Sequence, residues 1–216
     1  LMALAEGGPP LVFDRQLHTI GLPEAHTAAV TGMTAHPKID PSTGELLSFR
    51  QSWAPPYLQY SVVDAAGTEL VNQDIEITSP SMMHDMAVTA TSSIFLDLGV
   101  SLDLKMLERG HRLPIRWHEE RACRLGIVPR YGGAVQWVNI EPCFIQHVVN
   151  AYDEADDSIT MHVARYPWYF KFDESEQAFE PNPLAQLWQY RINLTTGTVF
   201  EDALDCANIE LPRINE

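Results

Sequence analysis

Three widely spaced histidines constrain the fold of this chain more than any other feature. His36, His84 and His147 lie 48 and 63 residues apart, and each falls in a segment whose pattern predicts a β-strand. A helix cannot bring such residues together, because helical metal motifs place their histidines about three or four residues apart. Strands that repeat around a common axis can do so, and the spacing therefore predicts a metal centre assembled from distant strands.

Short runs of alternating or β-branched residues are separated by turn signals such as Asp40–Gly44, Asp64–Gly67 and Thr195–Gly197. This rhythm is typical of an all-β protein, and helical periodicity is confined to a predicted short helix within Ser101 to Arg109. The predicted strands are Met2–Glu6, Met33–Ile39, Glu45–Gln51, Tyr57–Val63, Glu69–Ile77, Met86–Leu98, Ala134–Ile140, Phe144–Tyr152, Ser158–Tyr166, Leu187–Asn193 and Thr198–Ala203.

Many short antiparallel strands fit either a β-sandwich or a β-propeller, and periodicity alone does not choose between them. The intervals between the histidines have the size of one four-stranded blade, which favours a propeller with one histidine per blade. No segment is rich enough in Pro, Gly or Ser to mark a linker, so we expect a single domain over residues 1–216. Both ends interrupt strand-like sequence, which predicts a partial propeller truncated at both ends.

The charge of the chain excludes several classes of partner. Against 14 Lys and Arg stand 29 Asp and Glu, and the net charge of −15 disfavours nucleic acid and anionic membrane surfaces. Three cysteines fit neither a disulfide framework nor a CxxC motif, so we expect a cytoplasmic protein. No apolar run approaches the roughly 20 residues that would span a bilayer.

Strand parity separates the candidate histidines from the others. His147 and His84 share parity with apolar residues, whereas His162 alternates with polar ones and is predicted to face solvent. Pro37 removes a backbone donor directly after His36 and should end its strand beside a cavity. A single histidine on an apolar face is most often a core residue bonded to a carbonyl, and that interpretation stays open for each of the three.

Two glutamates, Glu6 and Glu210, are predicted to belong to apolar strand segments. A buried carboxylate needs a partner, and a metal-bound histidine commonly donates its second ring N–H to a carboxylate. A salt-bridged or edge-exposed glutamate is the open alternative, because surface placement is the default for this residue type. The chain lacks a Gly-x-Ser-x-Gly elbow, a Gly-rich phosphate loop and a His-Glu-x-x-His motif.

Three local sequences, Thr34–Asp40, Met83–Thr89 and His147–Glu154, resemble the histidine motifs of the carotenoid cleavage oxygenase family in order and spacing. Pro129–Gly132 also matches a family motif. The family includes stilbene-cleaving dioxygenases and the retinoid isomerohydrolase. The resemblance implies an all-β fold, part of a seven-bladed β-propeller that holds non-haem Fe(II) on its axis with four histidines. It assigns three of those iron ligands to this chain: His36, His84 and His147.

By the same resemblance, Glu6 would orient His84 and Glu210 would orient His147. The fourth histidine and a third glutamate are expected beyond Glu216. Gln146 departs from the family pattern, in which an aromatic residue is usual, and its parity places it away from the ligand face.

The resemblance implies an oxidoreductase, a dioxygenase that uses O2 to cleave a carbon–carbon double bond of a carotenoid, apocarotenoid or stilbene-type substrate. Its partners would be an apolar polyene or stilbene and O2, and peripheral membrane contact of the full-length protein is left open. Two alternatives remain: a β-propeller binding or scaffold module, in which the histidines do not converge, and a metal-dependent hydrolase of the lactonase type. The latter needs a carboxylate or Asn among the metal ligands.

Overall fold

A computed structural model describes residues 1–6, 8–23, 32–173, 175 and 178–214. The regular structure in these residues is almost entirely β, and no helix among them is long and apolar enough to cross a membrane. The elements are β1 Met2–Ala3, β2 Leu11–Phe13, β3 Thr19–Gly21, β4 Lys38–Ile39, β5 Leu46–Gln51, β6 Leu58–Val63, β7 Glu69–Asp74, β8 Ala87–Val88, β9 Ser92–Asp97, β10 Val100–Leu102, α1 Lys105–Glu108, β11 Ile115–Trp117, β12 Cys123–Pro129, β13 Gln136–Ile140, β14 Phe144–Asp153, β15 Ser158–Tyr166, β16 Gln186–Asn193 and β17 Val199–Ala203.

The chain divides into two compact units. The first comprises Leu1–Thr78 with Tyr131–Gly133, and it contains a three-stranded sheet, β1-β2-β3, and a four-stranded sheet, β4-β5-β6-β7. Its core is formed by alternate residues of β5 and β6, such as Phe49 and Tyr60, which are 1% and 0% exposed. All of its sheets are antiparallel.

The second unit comprises Ser79–Arg130 with Ala134–Glu216. It contains two four-stranded antiparallel sheets, β13-β12-β9-β8 and β14-β15-β16-β17, and the hairpin β10-β11 is inserted between β9 and β12. Equivalent strands of the two sheets are neighbours, with β8 beside β14 and β13 beside β17. Strand β9 is buried along its whole length, which places the core of this unit between the sheets.

Two of the three candidate histidines do not lie in strands, contrary to the sequence prediction. His36 lies in a bend that precedes β4, where Pro37 cannot donate to a ladder. His84 lies in an irregular segment that precedes β8, and His147 lies in β14. Each histidine nevertheless lies in or just before the first strand, in chain order, of its four-stranded sheet.

Several predicted boundaries differ from the observed ones. The strand predicted over Met86–Leu98 is a hairpin of β8 and β9, because the side chain of Asp153 binds the turn through the Thr91 amide and hydroxyl. Strand β12 has no counterpart among the predicted strands, since its central Gly126 and the charged Arg124 weaken the alternating pattern. The predicted helix within Ser101 to Arg109 is reduced to one turn, α1.

Gly126 in β12 is required by the packing of a cross-strand aromatic ring. It pairs with Trp137 in β13, and a Cβ atom at Gly126 would lie 2.6 Å from Trp137 Cζ3. The same indole contacts the Arg124 guanidinium, whose carbon lies 4.0 Å from the ring centroid. We expect Gly126→Ala to lower the free energy of unfolding by about 1–3 kcal/mol, because the ring must move out of its packed position. Denaturant unfolding of the full-length protein measures this change.

Gly8→Ala is the matched control. The nearest heavy atom to a Cβ at Gly8 is the Ala5 Cβ at 3.8 Å, an ordinary contact. We expect this substitution to change the free energy of unfolding by less than about 0.5 kcal/mol. Equal effects of the two substitutions would contradict the packing explanation.

Candidate metal centre

His84 and His147 lie together in the second unit. Their ring centroids are 5.1 Å apart and their planes meet at 73°, an edge-to-face arrangement. One ring nitrogen of each, the atom that could bind a metal, lies within 4.8 Å of the other. Imidazole nitrogen is a common ligand of Fe, Zn, Cu and Ni, so this pair can contribute two ligands to one ion.

The pairing of β14 with β15 is irregular on both sides of His147. Strand β14 carries register shifts against β15 on both sides, between Ile145 and His147 and between Val148 and Asn150. Such bulges kink a strand and change the direction of a side chain, and they are frequent beside functional sites. His147 itself is 7% exposed.

A carboxylate, that of Glu210, binds one of the two ring nitrogens of His147. Nδ1 of His147 is hydrogen-bonded to Glu210 Oε2, and the Tyr166 hydroxyl donates to Glu210 Oε1 at 2.5 Å. The Leu211 amide also donates to Glu210 Oε2, at 3.0 Å. With Nδ1–H donated to the carboxylate, the lone pair of the neutral ring is on Nε2, the atom that would bind a metal.

The same contacts determine the charges of this group. Burial raises the pKa of Glu210, but hydrogen bonds from Tyr166, His147 and the Leu211 amide outweigh it, and the net pKa lies below its ordinary value. Burial also raises the pKa of Tyr166, and its bond to the Glu210 carboxylate raises it further. At neutral pH the carboxylate is therefore ionised and the tyrosine remains a donor.

Aromatic side chains pack around the tyrosine that holds Glu210. Tyr169 lies edge-to-face with Tyr166, with centroids 4.7 Å apart, and stacks on Phe144 at 5.2 Å. Burial and the negative charge of Glu210 raise the pKa of Tyr169 as well. The cluster removes part of the solvent beside the Tyr166–Glu210 contact, which strengthens that hydrogen bond.

The other two predicted site residues, His36 and Glu6, lie in the first unit. His36 is half-buried, and its backbone N–H donates to Thr34 Oγ1 at 3.1 Å. Strand β1 ends at Ala3, so Glu6 lies in a turn rather than in the strand that the sequence predicts. Glu6 is exposed. Its carboxylate accepts a hydrogen bond from the Gln51 side chain at 3.4 Å.

The sequence alone predicts no role for Tyr166 at this site. It ends the strand predicted over Ser158–Tyr166, and its only signal was an aromatic residue at the end of an apolar run. Nothing in the sequence indicates that it meets Glu210, which lies 44 residues later.

Comparison with known proteins identifies the family. The sequence model of the retinal pigment epithelial membrane protein (RPE65) family matches residues 1–216. The chain is 32% identical to carotenoid 9,10(9',10')-cleavage dioxygenase 1 of Arabidopsis thaliana and 31% identical to a carotenoid cleavage oxygenase of Mycobacterium tuberculosis. These alignments cover 100% and 93% of the chain. The chain belongs to the carotenoid cleavage oxygenase family.

Solved structures agree with this assignment. A lignostilbene dioxygenase of Pseudomonas brassicacearum superposes on 98% of the chain with a TM-score of 0.84 and 26% identity, and spans it with 47% of its own length. A cobalt-substituted Synechocystis ACO superposes on 99% of the chain with a TM-score of 0.81 and 25% identity. The superposition covers 48% of the length of the ACO. The predicted fold, all-β and part of a seven-bladed β-propeller, is confirmed.

The chain spans about half the length of the carotenoid cleavage oxygenases that it matches, 42% of the Arabidopsis protein and 48% of the mycobacterial one. The Synechocystis ACO among these structures is a cobalt-substituted form. The donor set of the second unit fits such a metal, because it offers imidazole nitrogens with a carboxylate behind one of them.

We expect Tyr166→Phe to weaken the structure around Glu210. It removes a hydrogen bond to an ionised, partly exposed carboxylate, and the free energy of unfolding should fall by about 1–2 kcal/mol. Denaturant unfolding of the metal-free, full-length protein at neutral pH measures the loss.

Tyr190→Phe, in the adjacent strand β16, is the matched control. The Tyr190 hydroxyl is also buried, but its neighbour is the Cys143 Sγ at 3.7 Å, a weak hydrogen-bond partner. The loss should be below about 1 kcal/mol. A loss at Tyr166 no larger than that at Tyr190 would show that the bond to the carboxylate contributes no more than the weak contact with Cys143.

Proposed function

We propose that the protein is a non-haem Fe(II) dioxygenase that cleaves a carbon–carbon double bond of a carotenoid, apocarotenoid or stilbene-type substrate with O2, giving two carbonyl products. The observation that carries this proposal is the pair of His84 and His147, with Glu210 bound behind His147, in a member of the carotenoid cleavage oxygenase family. The names of the relatives, two carotenoid cleavage enzymes and a lignostilbene dioxygenase, support the substrate class.

We further propose that His36 supplies the third ligand, as the family motif implies, and that Glu6 orients His84. The match of the family model across residues 1–216 supports these assignments. In this proposal the chain is one partial propeller domain, with the metal on the propeller axis and its fourth histidine beyond Glu216. A cytoplasmic location remains a prediction from the cysteine usage.

Neutral imidazoles leave the double charge of the metal uncompensated, and this chain supplies a balancing charge at one remove. Glu210 is ionised because three donors hold its pKa low, and its negative charge reaches the site through His147. The bond also fixes the orientation of the ring and increases its basicity. When bound, Fe(II) supplies the activation of O2, and the protein is required only to hold and orient the ligands and the substrate.

The two alternative functions gain no specific support. A scaffold module has no need for a histidine that is buried, bracketed by bulges and bound to an ionised carboxylate. A lactonase-type hydrolase needs an oxygen ligand on its metal, whereas Glu210 is engaged by His147 and Tyr166.

The test uses the full-length protein, purified anaerobically, loaded with ferrous iron and supplied with an apocarotenoid or a hydroxystilbene. We expect an aldehyde product from at least one substrate, formed only when O2 is admitted, because the reaction inserts oxygen across the double bond. Chromatography of the products and the iron content per chain are the measurements. No O2-dependent aldehyde from either substrate would reject the dioxygenase assignment.

A histidine substitution locates the activity. His147→Ala should abolish product and lower the iron content, because it deletes a proposed ligand. The matched control is His162→Ala in β15, whose ring pairs with the Gln189 side chain at 3.1 Å and lies outside the proposed ligand set. We expect it to retain both iron and activity. Iron binding that survives His147→Ala would remove this residue from the metal site.

A further inference from the structure

A buried carboxylate that has no part in the proposed ligand set connects the two segments that carry His84 and His147. Asp85 is 1% exposed. Its Oδ2 accepts the Val148 backbone N–H at 2.8 Å, and its Oδ1 accepts the Met86 backbone N–H at 2.8 Å. One carboxylate therefore bonds to the backbone of both segments.

The need for this acceptor follows from the position of β14. It is an edge strand of its sheet, so alternate backbone groups point away from its single neighbour β15. A buried N–H without an acceptor costs about 1–3 kcal/mol. Val148 finds its acceptor in the segment that precedes β8, and that segment is thereby attached to β14.

Both ends of this connection lie next to a histidine. Asp85 directly follows His84, and Val148 directly follows His147. The hydrogen bond to Val148 therefore fixes two backbone positions, each one residue from a ring, and the bond to Met86 fixes the rotation of the carboxylate that makes it. The two ring centroids lie 5.1 Å apart.

We propose that Asp85 is a positioning residue that sets the separation and orientation of the His84 and His147 rings for metal binding. The inference rests on the proposed function, because it takes these rings as metal ligands. Asp85 does not touch the metal in this account, and its effect passes through the backbone of its two neighbours.

The same pair of sheets contains a second aspartate connection, which separates positioning from general stability. Asp153, at the far end of β14, accepts the hydroxyls of Thr89 and Thr91 at 2.8 Å each and the Thr91 amide at 3.1 Å. It also joins β14 to the β8–β9 segment. Asp153 lies six positions after His147 in the strand, about 20 Å away at the usual rise.

Asp85→Asn is the informative substitution because it preserves size while removing one acceptor. An Asn side chain can accept only one of the two N–H groups, and its own NH2 then faces the other donor. Asp153→Asn makes the same chemical change at the distant connection.

The experiment titrates the metal-free, full-length protein and the two variants with Co(II) and follows the visible absorption of the bound ion. We expect Asp85→Asn to lower the Co(II) affinity roughly tenfold, the lower limit for partners outside the ligand set, and to alter the spectrum because the ligand geometry changes. Asp153→Asn should bind within about twofold of the unaltered protein with the same spectrum. Circular dichroism of each variant establishes that it is folded.

The outcomes are distinguishable. Absence of Co(II) binding by the unaltered protein rejects the metal site, and with it this inference. Unaltered affinity and spectrum in Asp85→Asn, or an equal loss in Asp153→Asn, reject the positioning role alone. If Asp85→Asn is recovered unfolded, the same titration is made with Asp85→Glu, which retains both oxygens but displaces them by one methylene. Unaltered binding by that variant also overturns the inference.

Discussion

The edge of strand β14 is the constraint on which the second unit depends. An edge strand presents backbone donors and acceptors that its own sheet does not pair, and burial of that edge obliges other segments to supply partners. Here the Asp85 side chain accepts the Val148 amide in the middle of β14. At the end of β14, the Asp153 side chain in turn binds the Thr91 amide in the β8–β9 turn. The two sheets are therefore held along the same line on which His147 lies.

A chain of hydrogen bonds then converts this scaffold into an electrostatic environment. Tyr166 donates to Glu210, which accepts from His147, so a neutral donor, an anion and an imidazole follow one another. Because the pKa of Tyr166 is raised, the tyrosine stays protonated and can donate to Glu210. Because the pKa of Glu210 is lowered, the carboxylate stays charged and can accept from His147. This series of hydrogen bonds makes the His147 ring more basic and fixes its orientation.

The sequence predicts the regular parts of this arrangement better than its irregular ones. β15 agrees with its predicted bounds at both ends, and β14 extends only one residue beyond its predicted end. His84 was expected in a strand, but local structure there depends on where Asp85 finds its second donor, a contact 63 residues away. Asp85 lies within the Met83–Thr89 motif. The motif predicts no role for it, because a sequence motif identifies residues and not their partners. The contact between Tyr166 and Glu210 likewise arises only from packing.

Preorganisation links these observations to metal chemistry. Two of the proposed ligands, His84 and His147, lie in one compact unit. The Asp85 carboxylate bonds to the backbone next to His147, and the Glu210 carboxylate bonds to the His147 ring. Less of the binding free energy is then required to order the rings, and more of it appears as affinity. The same restraint favours one ligand geometry over others, which matters because the common divalent transition metals all bind imidazole and are distinguished largely by geometry. At the proposed metal site, the choice of ion would therefore depend in part on residues outside the ligand set.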